Sequence, residues 1–224
     1  MKHRGKAAKA AARILGIGVV ITGILAVLAW KFVFASVAVA VLALFGLFAA
    51  FTLYFFRDPE AKVPAGKALI VSPGHGTVDT IDRVTESEIM GGSCQRISIF
   101  LSVFNVHVQQ SPVAGKVTYV KHTPGQFMNA LKIECAAVNE NVLIGFQSAE
   151  PAGQTIAVRL ITGLIARRII PWVTVEDVVA KGERISLIQF GSRVDVYLPL
   201  HAEVAATLGQ KVVGGETVIA RIMQ

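Results

Sequence analysis

Two long apolar runs near the start of the chain constrain its fold more than any other feature. Residues 14–30 carry no charge, and after Lys31 residues 32–56 carry none either. A helix crosses the hydrocarbon core of a bilayer with about 20 apolar residues, within a range of about 17–25. The runs are 17 and 25 residues long. Backbone placed in lipid must satisfy its own hydrogen bonds, so both runs are expected as helices. The spacing predicts a transmembrane helical hairpin, 14–30 and 32–56, turning at Trp30-Lys31-Phe32. Residues 1–56 would then be a membrane anchor. A cleaved signal peptide has a short apolar core followed by a small-residue cleavage site. Ala35-Ser36 imitates such a site, but the second run follows at once, and the hairpin is the better reading. The runner-up has one true span and one helix lying in the interface.

Charge agrees with an anchor. Residues 1–56 contain no Asp or Glu, and their basic residues are Lys2, Arg4, Lys6, Lys9, Arg13 and Lys31. The remaining 168 residues hold sixteen basic and fifteen acidic side chains, so the net +7 belongs almost wholly to the N-terminal segment. That is a juxtamembrane cluster and not the footprint of a nucleic-acid binder. With Arg57, Lys62 and Lys67 beyond the second run, both ends of the hairpin are expected on the cytoplasmic side of the cell membrane.

Asp58-Pro59 and Pro64-Ala65-Gly66 interrupt the pattern and read as a linker. Residues 57–224 are long enough for one domain with its own core. Short strand-like runs recur there: 68–71, 96–101, 116–120, 130–135, 141–146, 155–161, 186–190, 194–198 and 218–222, punctuated by Gly, Pro and Asn-Glu. One stretch, 161–170, reads as a helix despite Gly163. Two pieces are duplicated. Ser72-Pro73-x-x-Gly76-x-Val78 matches Ser111-Pro112-x-x-Gly115-x-Val117, and Val179-x-x-Gly182-Glu183-x-Ile185 matches Val212-x-x-Gly215-Glu216-x-Val218. The expected fold is therefore mainly β: a barrel-sandwich-like domain with internal duplication, behind the helical anchor. The repeats resemble halves of lipoyl and biotinyl carrier domains. No Met-Lys-Met or Asp-Lys-Ala tip is present, so a carrier role is disfavoured. Cys94 and Cys135 have neither disulfide-framework nor metal-ligand spacing and read as buried thiols. No Walker loop, dinucleotide fingerprint or zinc motif occurs, so no metal is expected.

The segment Phe190-Gly191-Ser192-Arg193-Val194-Asp195 carries the chemistry. Gly191 offers an unshielded carbonyl and an unusually free backbone, and the Ser192 hydroxyl follows directly. Phe55-Phe56-Arg57-Asp58-Pro59, Ser72-Pro73-Gly74-His75-Gly76, the stretch Phe100-Leu101-Ser102-Val103-Phe104-Asn105-Val106-His107-Val108, Phe127-x-Asn129-Ala130, Asn139-Glu140 and Gly163-Leu164-Ile165-Ala166-Arg167-Arg168-Ile169 precede it in order. Together with Gly191-Ser192 they resemble the short, membrane-anchored form of the phosphatidylserine decarboxylases over nearly the whole chain.

The resemblance implies a pyruvoyl-dependent carboxy-lyase. Self-cleavage between Gly191 and Ser192 would give a long chain 1–191 and a short chain 192–224, held together as a heterodimer. Ser192 would become a covalent pyruvoyl group that takes phosphatidylserine as a Schiff base and yields phosphatidylethanolamine and CO2 in phospholipid biosynthesis. His107 would transfer protons during decarboxylation, since an imidazole both gives and takes protons near neutral pH. Arg193, Arg167 and Arg168 would meet the anionic headgroup. Two departures matter. Long members of the family place a second His three residues after the central one, where this chain has Gln110, as expected for a short form. The first Pro-rich turn of the family usually reads Ser-Pro-Ala-Asp-Gly, with the Asp implicated in self-cleavage, and this chain has His75 there. His75 is thus a candidate base for self-cleavage, with Asp79 and Asp82 near enough in sequence to orient it. Competing readings are a non-enzymatic, membrane-tethered barrel adaptor, an inactive family member, and a decarboxylase of an ether-linked serine lipid. The sequence leaves a higher homo-oligomer open.

Overall fold

The computed structural model describes residues 2–32, 34–130, 135–164, 168–189 and 191–222. The chain forms two compact units, a helical one over Arg4–Asp58 and a β one built on Pro59–Gln224.

The helical unit consists of α1 (Lys6–Phe32) and α2 (Ala35–Phe55). α1 begins eight residues before the apolar run, because the segment from Lys6 to Arg13 is alternating Ala and basic residues, all strong helix formers. At about 1.5 Å per residue it is about 40 Å long, more than the roughly 30 Å of a bilayer core. The break falls at Phe34, which is extended with φ −146°, slightly later than expected. Lys31 lies in the last turn of α1, where a cation meets the negative pole of the helix. The two helices pack closely. A Cβ at Gly18 would run into the Phe45 ring, and Ile21, Thr22 and Leu25 face Val41, Leu44 and Phe48 across a shallow groove. Within α2 the Thr52 hydroxyl is satisfied by the Phe48 carbonyl at 2.8 Å. Ile17, Val20, Ile24, Leu42, Leu47 and Leu53 point outward. Both helices are long and apolar enough to cross a membrane.

The β unit is two interleaved halves. The first is β1 (Leu69–Val71), β2 (Gly76–Glu86), β3 (Gly92–Leu101), β11 (Ser192–Leu198), β12 (Ala202–Val204), β13 (Lys211–Val212) and β14 (Val218–Ile222). Inserted between β3 and β11 is the second: β4 (Val108–Gln110), β5 (Gly115–Thr123), α3 (Cys135–Val138), β6 (Asn141–Ala149), β7 (Ala152–Thr162), β8 (Ile169–Pro171), β9 (Val178–Val179) and β10 (Arg184–Ile188). One curled eight-stranded sheet runs β13-β2-β3-β11-β7-β6-β5-β9, a half-barrel whose order reads alike from either end once the halves are matched. Two three-stranded sheets, β1-β14-β12 and β4-β10-β8, complete the unit.

The duplicated motifs sit on the pseudo-two-fold axis and bond reciprocally. Val71 N donates to the Pro112 carbonyl and Gln110 N to that of Pro73. Gly215 N donates to Ser72 O and Gly182 N to Ser111 O, both at 2.8 Å. Gly182 and Gly215 each have φ +74°, a left-handed turn that a side chain would strain. The core lies on one face of the large sheet, where Ile97, Ile99, Val142, Ile144, Phe146, Val158, Leu160, Val194 and Val196 are fully buried.

Three expectations from the sequence need correction. Residues 161–170 are not a helix. Ile161 and Thr162 end β7 and Ile169-Ile170 open β8, with 165–167 outside the described residues. The expected strand 130–135 ends instead in the helical turn α3, and 131–134 lie outside the described residues. β2, eleven residues long, had no counterpart among the expected strands. Its register shifts between Val78 and Thr80, so Asp79 is an extra residue and the period-two alternation changes phase.

Candidate active site

β3 stops at Leu101 and the chain turns through Ser102 to Asn105. The Asn105 side-chain oxygen accepts from Ser102 N at 2.9 Å and from the Ser102 hydroxyl at 2.8 Å, closing the turn. That turn aims the Asn105 carbonyl at His107, which donates from Nδ1 at 2.9 Å. The His107 carbonyl accepts from Ile188 N at 3.1 Å and from the Gln109 amide at 2.7 Å, tying the residue to β10. His107 is fully buried.

Beyond β10 the chain reaches Gly191, with φ +76°, and then Ser192 as the first residue of β11. Gly191 N donates to His107 Nε2 at 3.1 Å. These partners settle the tautomer. A carbonyl can only accept and an amide N–H can only donate, so His107 is neutral, protonated at Nδ1, with its Nε2 lone pair on Gly191. Ser192 lies between Leu101 of β3 and Thr162 of β7. It is fully buried, and its hydroxyl has no hydrogen-bond partner among the described residues. A native core rarely leaves a hydroxyl in that state, because the desolvation is uncompensated.

The Gly191 carbonyl oxygen lies 2.8 Å from where a Cβ on Gly163 would be, closer than such a contact allows. Gly163 therefore makes room for it, a role invisible while 161–170 is read as a helix. A cleft of about 170 Å³ opens over this point, walled by Phe100, Ser102, Val103, Ala130 and Leu164. Leu164 at its rim and Phe104 on the adjacent turn are 63% and 64% exposed.

The other candidates fall as follows. Arg193 is 1% exposed; Nη1 and Nη2 grip both oxygens of Asp79, at 2.8 and 2.5 Å, and Nε donates to the Ala130 carbonyl at 3.2 Å. Arg168 is exposed, and Arg167 lies outside the described residues. His75 occupies the turn between β1 and β2, with its ring against Gly214. Neither carboxylate considered for orienting it is spare. Asp79 holds Arg193, and Asp82 holds Arg96 through two bonds of 3.0 and 2.6 Å. The Arg193–Asp79 pair spans 114 residues and had no local signal. Asp195, on the same sheet face as Arg193, is fully buried 3.9 Å from Arg96, and burial pushes its carboxyl above the usual range. Cys94 and Cys135 are buried free thiols, and burial raises both pKa values.

Fold and site together define a duplicated half-barrel in which a Gly-Ser peptide lies against a neutral histidine. The sequence model described as phosphatidylserine decarboxylase matches residues 48–220. The phosphatidylserine decarboxylase proenzyme of Symbiobacterium thermophilum is 44% identical over 205 residues, which is 87% of this chain and 94% of that protein. That of Desulfotalea psychrophila is 43% identical over 180 residues, 80% of this chain and 83% of the relative. That of Ruegeria pomeroyi is 45% identical over 170 residues, 75% and 77% of the two chains. The chain belongs to the phosphatidylserine decarboxylase family, and so to the decarboxylating lyases, whose members named here are described as proenzymes.

Proposed function

We propose that this chain is the precursor of a membrane-anchored phosphatidylserine decarboxylase that cuts itself between Gly191 and Ser192 and releases phosphatidylethanolamine and CO2. The observation that carries the proposal is the buried, unpartnered Ser192 hydroxyl directly after a left-handed Gly191 whose amide is held by His107.

In this reading the Ser192 hydroxyl attacks the Gly191 carbonyl carbon and its proton passes to the nitrogen of residue 192, while His107 Nε2 holds the Gly191 amide. The C–N bond breaks, an ester to Ser192 Oγ forms and the nitrogen of residue 192 is freed. Removal of the Cα proton of residue 192 expels the Gly191 carboxylate. Water then replaces the nitrogen, which leaves as ammonia, and residue 192 ends as a pyruvoyl terminus. That group supplies a carbonyl which condenses with the primary amine of the substrate and draws off the electrons left by CO2. His107 delivers a proton to the substrate carbon that lost CO2. The apolar cleft walls exclude water, and the exposed Leu164 and Phe104 suit a headgroup arriving from a lipid surface. Arg168 is the remaining described candidate for the lipid phosphate. Arg193 is not offered that role, because its guanidinium is already bound.

Residues 1–56 act as the anchor and 57–224 as the catalytic domain. The basic residues before the first apolar run and after α2 support a cytoplasmic side for both ends of the hairpin and for the domain. The two chains, 1–191 and 192–224, stay associated. Denaturing intact-mass spectrometry tests the reading. Wild type should give a 33-residue C-terminal fragment whose N-terminus lacks an amine and reacts with hydroxylamine. Ser192→Ala should remain one inactive chain. An uncleaved wild type that still decarboxylates phosphatidylserine would refute the proposal.

A further inference from the structure

We infer that the Arg193–Asp79–Ala130 cluster is a clamp that keeps the new chain terminus at residue 192 seated after cleavage, which makes Arg193 and Asp79 positioning residues. The inference rests on the cleavage reading above. Once the 191–192 bond is cut, nothing covalent holds residue 192 from its N-terminal side, and strand ends fray. The next residue, Arg193, is the most heavily tethered side chain near the cut. It makes two charge-assisted bonds to one carboxylate and a third bond to a carbonyl, all from a buried guanidinium. A bidentate pair of this kind fixes orientation as well as distance.

The pseudo-symmetry of the fold indicates that the clamp is not a requirement of the architecture. Gly76 and Gly115 hold matching places, each opposite the corresponding short strand, at Val212 and Val179. Counting from them, Asp79 corresponds to Thr118. Both are the extra residue at a register shift, one in β2 and one in β5. Phe100 corresponds to Gln147, and their partners on the next strand are Arg193 and Thr155. The half that lacks the Gly-Ser peptide thus has two threonines where the half that bears it has Asp and Arg. The β2 bulge brings Asp79 across β3 to the strand carrying the reactive residue, and the pair exists only there.

The cleaved enzyme tests this. Arg193→Met and Asp79→Leu should each yield a short chain whose terminal carbonyl forms its oxime with hydroxylamine about tenfold faster or more, because a terminus buried in wild type becomes accessible. kcat should fall on the order of 10²-fold, the cost of about 1 Å of misplacement, with KM for phosphatidylserine vesicles within about twofold. Either single variant also leaves a partly buried charge unpaired, so the double variant Asp79→Leu/Arg193→Met separates the two effects. Replacing a buried ion pair by apolar groups restores stability, so its Tm should recover while fast oxime formation and low kcat persist. Recovery of both along with Tm would reduce the pair to a structural one and overturn the clamp. A raised KM with unchanged kcat and oxime rate in Arg193→Met would assign Arg193 to the headgroup and overturn it too. A wild type that stays one chain without a reactive carbonyl would refute the cleavage reading itself, and the clamp with it.

Discussion

His107 Nε2 accepts the amide hydrogen of Gly191 at 3.1 Å, so an imidazole is bonded to the residue whose carbonyl would be attacked. Because Nδ1 is occupied by the Asn105 carbonyl, the ring cannot turn without losing both bonds. His107→Ala should therefore slow turnover by about 10²–10⁴-fold, the usual contribution of a proton-transfer group, and slow self-cleavage by freeing the Gly191 amide. The appearance of the 33-residue fragment over time, by gel or mass, checks it. Cleavage at the wild-type rate would confine His107 to the later reaction.

Ser192→Ala should lose cleavage and gain stability. The wild-type hydroxyl is buried without a hydrogen-bond partner among the described residues, a state that costs about 1–3 kcal/mol. Removing it leaves a void of one oxygen and relieves that cost. The expected result is a one-chain protein on the order of 1 kcal/mol more stable than uncleaved wild type, read by denaturant unfolding of the detergent-solubilised chain. A clear loss of stability would show that the hydroxyl has a partner in solution.

Gly163→Ala places a methyl group against the Gly191 carbonyl. The backbone of Gly163 is not left-handed, so the change acts on its neighbour and not on local strain. Cleavage should slow by about 10²-fold, the effect of displacing a reacting group by about 1 Å, while circular dichroism and Tm stay close to wild type. Wild-type processing in this variant would mean that the carbonyl has room to move.

Asp195→Asn probes the charged layer on the sheet face that carries Arg193. Burial raises the folded-state pKa of Asp195 above its unfolded value. The folded state then binds the proton more tightly, so this group's stabilising contribution is present at low pH and is lost as pH rises toward the folded-state pKa. An amide mimics the protonated form and has no such dependence. The variant should match or exceed wild type in Tm at pH 8, and wild type should gain on it as pH falls to 5. The opposite trend would show that Arg96 outweighs burial.

The duplication was legible because its Ser-Pro and Gly-Glu motifs recur in sequence with the same spacing. The helices were legible from apolar run length. β2 was hidden because the bulge at Asp79 changes which residues face inward halfway along the strand. The stretch around Gly163 was misread because Ile161-Thr162 and Ile169-Ile170, two strand ends, together imitate a helical period. At the site, Ser192 and His107 stood out through their motifs. The roles of Gly163, Asp79 and Ala130 depend on approaches between residues 28 to 114 positions apart, which no local pattern encodes.

β11 lies in the interior of the eight-stranded sheet, with β3 on one side and β7 on the other. Under the proposed maturation the severed piece begins with this strand, so it is a central plank and not an edge. A long chain lacking it would expose two unpaired strand edges flanking a gap in the core, the surface on which β proteins aggregate. Order of events is therefore built into the topology. The chain must complete its sheet while continuous and be cut afterwards, and mixing separately made pieces is a poor route to the active protein. A single gene product that carries its own scission chemistry meets that requirement without an outside protease having to judge when folding is finished.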